Sequence, residues 1–251
     1  MLRLRRFLRF GASPAEPDSL TVTAGGRPVA VGLRRRDSAR RITLRVSSAT
    51  GEVLLTLPPR ADLRSAQSFL DAHGGWIANR LARVPERVPF TAGTSIPLRG
   101  EPHRIVHWSR VRGLTRLASD PDGDIVIAVS GEEAAVPGRV RRFLAAEAET
   151  DLREAAGRHA AALGVSFTRL SLRDTRSRWG SCSSTGSLSF SWRLILAPPF
   201  VLDYLAAHEV AHLKELNHSS RFWRHVHRLC PRTDEAEAWL NGNGSGLHRY
   251  G

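Results

Sequence analysis

The sequence predicts an α+β fold with a β-rich N-terminal region. Three observations point there. Strand-like runs joined by tight turns fill residues 20–57 and 94–130 and return at 167–192. Two stretches of helical periodicity separate these blocks, so strands and helices are grouped rather than alternating one for one. A last apolar helix, "PPFVLDYLAAHEVAHLKEL", follows the final strands and carries His208, Glu209 and His212.

The elements can be justified in chain order. "MLRLRRFLRF" and the Pro-rich "SPAEPDS" predict a basic arm and linker over residues 1–19. In "LTVTAGGRPVAVGLRR" two alternating runs flank a Gly-Gly pair, the signature of a hairpin. "RRITLRVS" and "EVLLTLP" flank a second turn, "SATG". "DLRSAQSFLDAHGGWIANRLARV" spaces Leu63, Ala66, Phe69, Leu70, Ile77, Leu81 and Val84 as one helical face, weakened in the middle by Gly74 and Gly75. "RIVHW" and "DIVIAV" read as strands. "PGRVRRFLAAEAETDLREAAGRHAAALG" reads as a long helix with Pro137 at its start and Gly164 as its stop. "FTRLSLRDTRSRWGSCSSTGSLSFSW" returns to strands and turns. Ser219 or Ser220 is placed to cap a helix containing "RFWRHVHRLC", and "NGNGSG" predicts a flexible tail over residues 242–251. The expected organisation is an arm (1–19), one domain (20–241) with a β-rich part at 20–130 and a catalytic part at 137–241, and the tail. No internal repeat is evident.

The 251 residues can bury one large core or two modest ones. No apolar run reaches the length of a membrane span. Cys182 and Cys230 are too few for a disulfide framework. With no export signal evident, this favours the cytoplasm. The net charge of +13 is almost all arginine, since Lys214 is the only lysine. Residues 1–45 contain eleven Arg against Glu16, Asp18 and Asp37, a surplus of +8. Such a surface attracts nucleic acid or anionic membrane. No aromatic interleaving or nucleic-acid motif accompanies it, so the charge reads mainly as solvated faces, with weak nucleic-acid binding by the arm a secondary expectation.

The chemistry concentrates in "HEVAHLKELNH". Residues four apart share a helix face, so His208 and His212 project side by side, and Glu209 flanks them about 60–100° round. This is the H-E-x-x-H arrangement, in which the two histidines hold Zn²⁺ and the glutamate is the general base. His218 would point about 80° away from His208 on a straight helix. A bend between Leu216 and Ser219, with Asn217 in a left-handed conformation, would bring it back. The spacing of His208, His212 and His218 is that of the longer H-E-x-x-H-x-x-G-x-x-H pattern, with Glu215 in place of the glycine. Glu235 and Glu237 remain alternatives as third ligand on these residues alone. His225 and His227 read as exposed or core residues, with a supporting role toward the metal ligands the lesser alternative. His73, His103, His107, His159 and His248 belong to no constellation.

In "RSRWGSCSS" Gly180 beside Trp179 suggests a close backbone approach with an aromatic packed next to it. Arg176 and Arg178 would share one side of an extended chain, where they could meet an oxyanion or a substrate carboxylate. "SLSFS" is the better strand for pairing with an extended peptide. Taken alone, these letters read better as ordinary surface arginines and a buried tryptophan.

"SRWGSCSSTGSLSFSWRLILAPP" followed by "LDYLAAHEVAHLKELNHSSRFW" resembles the YgjP-like metallopeptidase family, a bacterial zincin group akin to SprT-like proteins. "ARRITLRV" and "GEVLLTLPPRA" are similar to that family's N-terminal strands, so the likeness spans roughly residues 30–240. The resemblance implies a zincin-like metalloprotease fold and a zinc-dependent metallopeptidase acting on a peptide or protein substrate. It implies His208, His212 and His218 as zinc ligands and Glu209 as the catalytic residue, and it favours His218 over Glu235. It implies that the turn at Asn217–Ser219 serves where related motifs use glycine. The first 19 residues, the Gly-rich tail and the Gly74–Gly75 break depart from the family.

Overall fold

The structure is a computed structural model and describes residues 17–47, 50–84, 86–109 and 113–251. Most of the expected basic arm therefore lies outside the described residues. The chain divides after Val84 into two compact units.

In the first unit β1 (Ser19–Ala24) and β2 (Arg27–Arg35) form the hairpin expected from Gly25-Gly26. Both glycines have positive φ, 59° and 77°, as a two-residue turn matched to strand twist requires. β3 (Thr43–Val46) and β4 (Val53–Leu57) complete a sheet of order β1-β2-β4-β3, in which β2 and β4 run parallel. The expected single helix is two, α1 (Leu63–Ala72) and α2 (Gly74–Leu81). Asp62 caps α1 by accepting from the Ser65 amide at 2.8 Å. The break at Gly74 has a steric cause: a Cβ there would sit 2.5 Å from the Thr23 carbonyl oxygen, so the chain passes against β1 closer than any side chain allows. Val22, Val31, Leu55, Leu57, Leu70 and Ile77 form this unit's core.

The second unit opens with β5 (Ser95–Leu98), β6 (Glu101–Trp108), β7 (Arg116–Ser119) and β8 (Ile125–Ser130), in the order β5-β6-β8-β7 with β6 and β8 parallel. This is the strand order and pairing of the first sheet. The chain thus repeats a topology although no repeat is visible in its letters, because register and pairing tolerate very different residues on the same pleat. Residues up to 130 were expected to belong with the N-terminal strands. Instead Ile96, Leu98, Ile105, Ile127 and Val129 share one core with the helices that follow.

α3 (Val136–Leu163) buries Val136, Val140, Leu144, Ala148 and Leu152, a stripe at every fourth residue, and ends at Gly164 in the left-handed conformation (φ 68°, ψ 43°). Truncating Leu144 or Leu152 to alanine costs about 2–5 kcal/mol in such a core. A small sheet follows: β9 (Arg169–Arg173), β10 (Gly180–Cys182) and β11 (Ser187–Ser191), ordered β10-β11-β9. Then come α4 (Pro199–Ala211), α5 (Ser220–Leu229) and α6 (Thr233–Asn243). α3 packs along α4, and α5 and α6 pack on α4 as well. α6 has no counterpart in the sequence reading.

The expected flexible tail is ordered. Gly244–Arg249 forms a 3₁₀ turn with Leu247 and His248 buried. The buried Arg193 guanidinium donates to the carbonyls of Leu247 (3.2 Å) and Tyr250 (2.6 Å), and Val88 exchanges backbone hydrogen bonds with Arg249 and Gly251. Glycine-rich letters report local freedom. They cannot report a distant arginine that supplies donors to the segment's carbonyls. Among the described residues no helix is long and apolar enough to cross a membrane.

Candidate metal centre

His208 and Glu209 lie in the last turn of α4, and His212 is its C-cap, still helical at φ −63° and ψ −19°. The helix therefore ends earlier than Leu216. The next residues close as tight turns, with Leu213 donating to the Val210 carbonyl and both Lys214 and Glu215 to that of Ala211. The turn at Asn217 forms differently from the expectation. Asn217 is not in the left-handed region. Its side-chain oxygen accepts from the Ser219 amide at 3.2 Å, and Ser219 in turn caps α5 by accepting from Phe222 at 3.3 Å. Two short side chains thus reverse the chain where a glycine was expected.

The reversal returns His218 to the end of α4. His208, His212 and His218 each offer a ring nitrogen, all within 4.8 Å of one another. The Nε2 atoms of His208 and His218 are 3.2 Å apart. Phe222 braces all three rings, at centroid distances of 4.9, 4.4 and 4.8 Å, and Trp223 stacks on His218. These two aromatics were not read as site residues. The signal for them was their place directly after the motif, at the start of the helix that carries His218 home.

Burial, and then the neighbouring rings of His212 and His218, lowers the pKa of His208 to about 4. Burial also lowers that of His212, aided by His218 and opposed by the Glu215 carbonyl. That carbonyl lies 2.9 Å from Nδ1 of His212 and accepts its N–H, which leaves Nε2 with a free lone pair. Both imidazoles are consequently neutral at pH 7, the form that binds a metal.

Glu209 is 4% exposed, and its Oε2 has no hydrogen-bond partner among the described residues. Burial pushes its carboxyl up to about 8, with Arg178 pulling the other way. The side chain is seated against β10. A Cβ on Gly180 would lie 2.7 Å from Glu209 Cγ and 2.8 Å from Cδ. The close approach anticipated at Gly180 is thus the approach of Glu209 itself. Trp179, Gly180, Tyr204, His208, Glu209 and Glu237 line a cleft of ≈ 380 Å³. A second groove of ≈ 470 Å³ runs from Gly180 past Arg173 and Arg178 and a row of serines on β9–β11.

Neither alternative ligand is grouped with the three histidines. Glu235 is tied to Arg232 at 2.5 and 2.7 Å. Glu237 accepts from the Tyr204 hydroxyl at 2.7 Å, and the Tyr204 oxygen lies 3.3 Å from His208 Nδ1. Of the remaining histidines, His227 is exposed and His225 half-buried. His248 stacks on Trp179 at 5.0 Å and so braces the residue before Gly180. Three imidazole nitrogens with a carboxyl group beside them can hold a divalent cation and leave a position open.

The match to known proteins covers most of the chain. A family model described as YgjP-like, metallopeptidase domain matches residues 40–243. Among solved structures, the metallopeptidase zymogen of Pyrococcus abyssi abylysin is 22% identical over 36% of this chain and 93% of that one, with a TM-score of 0.34. No curated protein matches. The chain belongs to the YgjP-like metallopeptidase family.

Proposed function

We propose that this chain is a zinc-dependent metallopeptidase, with His208, His212 and His218 as the metal ligands and Glu209 as the general base. The observation that carries the reading is the meeting of three imidazole nitrogens within 4.8 Å beside a buried carboxyl oxygen that has no hydrogen-bond partner among the described residues. The donors suit zinc. Nitrogens about 2.0–2.1 Å from one tetrahedral ion lie about 3.4 Å apart, close to the 3.2 Å between His208 and His218. Fewer than four protein ligands and no cysteine among them argue for a catalytic rather than a structural site.

When bound, zinc supplies Lewis acidity, lowering the pKa of its water to about 7 and polarising the scissile carbonyl. The chain's own residues do the rest. Glu209 accepts the water's proton as the oxygen attacks the carbonyl carbon, and delivers it to the departing amide nitrogen. Gly180, by carrying no side chain, leaves the space in which Glu209 lies.

Elemental mass spectrometry and hydrolysis of a quenched-fluorescence peptide mixture test the proposal together. Wild type should hold about one zinc per chain, and His218→Ala should lose it. Glu209→Gln should keep the zinc and abolish hydrolysis. Zinc without turnover in wild type would instead favour a non-catalytic zinc-binding protein. A Glu209→Gln variant that cleaves normally would rule out this mechanism.

A further inference from the structure

We infer that Tyr204 and Glu237 are positioning residues for the metal ligand His208, forming a relay from the α6 carboxylate through the tyrosine hydroxyl to the far side of the imidazole. The inference rests on the three-histidine reading and deepens it.

Tyr204 sits one turn before His208 on α4, so the two rings share a helix face and meet edge to face at 5.8 Å. Glu237 comes from α6, 33 residues along the chain, and reaches the same hydroxyl. The proton positions follow from counting. A His208 whose Nε2 faces the other two histidines with its lone pair must carry its hydrogen on Nδ1. Tyr204 has one hydrogen to give and two neighbours, Glu237 Oε1 at 2.7 Å and His208 Nδ1 at 3.3 Å. A carboxylate can only accept. Tyr204 therefore donates to Glu237 and accepts from Nδ1–H of His208.

The consequence is directional. The negative carboxylate polarises the tyrosine O–H, and the tyrosine oxygen becomes a better acceptor for Nδ1–H. This holds the His208 ring in one tautomer and orientation and makes Nε2 a stronger donor to a cation. His212 obtains the same service from a backbone carbonyl, that of Glu215, which no substitution of a side chain removes. His208 depends on side chains for it, so its orientation is open to mutation. Tyr204 is 4% exposed, so water has little access to compete for its hydroxyl.

The experiment is a competitive zinc titration against a chromophoric chelator at pH 7. It uses the full chain as wild type, Tyr204→Phe, Glu237→Gln and the double variant, with circular dichroism of each metal-free protein as the check on folding. Tyr204→Phe keeps the ring and should weaken zinc binding about 10- to 100-fold, the usual effect of removing a partner behind a ligating histidine. Glu237→Gln should weaken it less. The double variant should bind within about twofold of Tyr204→Phe, because Glu237 acts only through the hydroxyl. Wild-type affinity in Tyr204→Phe, or losses that multiply in the double variant, would overturn the relay. Should Tyr204→Phe fail to fold, wild-type affinity in Glu237→Gln does so alone. A wild type that binds no zinc would overturn the metal reading and the relay with it, an outcome distinct from a zinc protein indifferent to Tyr204.

Discussion

Gly180→Ala adds one methyl group at the point where β10 meets Glu209. Gly180 does not have a positive φ, so alanine is conformationally acceptable there and the new Cβ is the whole perturbation. That atom would meet Glu209 Oε1 first and would stand 2.7 Å from Cγ, whereas ordinary contact begins at 3.4 Å, so the side chain must retreat by at least about 0.7 Å. Glu209 cannot swing freely, being 4% exposed on a helix whose neighbours are core residues. A misplacement near 1 Å at a catalytic group costs about 10²-fold, so kcat/KM on a quenched-fluorescence peptide should fall roughly 30- to 100-fold. The overpacking should also lower stability by about 1–3 kcal/mol. Zinc content, measured by elemental mass spectrometry, should not change, because the atoms nearest the new methyl belong to Glu209 and not to a histidine. Activity within twofold of wild type would refute the steric argument. Loss of zinc would refute its confinement to Glu209.

Two further predictions concern stability. In metal-free protein Glu209 keeps a proton up to about pH 8 that the unfolded chain, with an ordinary value of 4.5, has already released. The folded state therefore binds more protons between those values, and stability is lost as pH rises through that window. At roughly 1.36 kcal/mol per unit, Glu209→Gln should gain on the order of 4 kcal/mol relative to wild type between pH 5 and pH 8 in chelator-treated urea melts; a difference independent of pH would contradict it. Arg193→Ala removes the donors to the Leu247 and Tyr250 carbonyls and one of the two arginines paired with Asp174, which keeps Arg141. It should cost about 1–3 kcal/mol, as leaving buried carbonyls without donors does, and should raise amide hydrogen exchange over residues 244–251; unchanged exchange there would show that the tail is held by something else.

What could be read from the letters is what short-range geometry dictates. His208 and His212 share a face because the helix repeats every 3.6 residues, whatever surrounds it. Gly25-Gly26 turns the first hairpin and Gly164 stops α3 because positive φ is a property of the residue itself. Ser219 caps α5 through a bond spanning three residues. For the same reason the grouping of strands and helices and the weak point at Gly74–Gly75 were legible, while the early end of α4 at Ala211, α6 and the ordered tail were not. The steric reason for the break at Gly74 and the order of the tail are set by atoms far away in the chain, Thr23 for the one and Arg193 for the other.

The sequence by itself determined the chemistry that the site can hold, since three histidines and a glutamate at this spacing have few other uses. Tertiary structure decided how they are held. Gly180 and Glu209 are 29 residues apart, and Tyr204 and Glu237 are 33 apart, yet each pair meets at one atom's width. Such contacts come from the packing of β10 and α6 on α4, where the burial of apolar surface sets the approach and the polar partners follow. Periodicity carries no information about which element will lie on the other side, so it could bring His208 and His212 to one face but could not place Gly180, Tyr204 or Glu237 beside them.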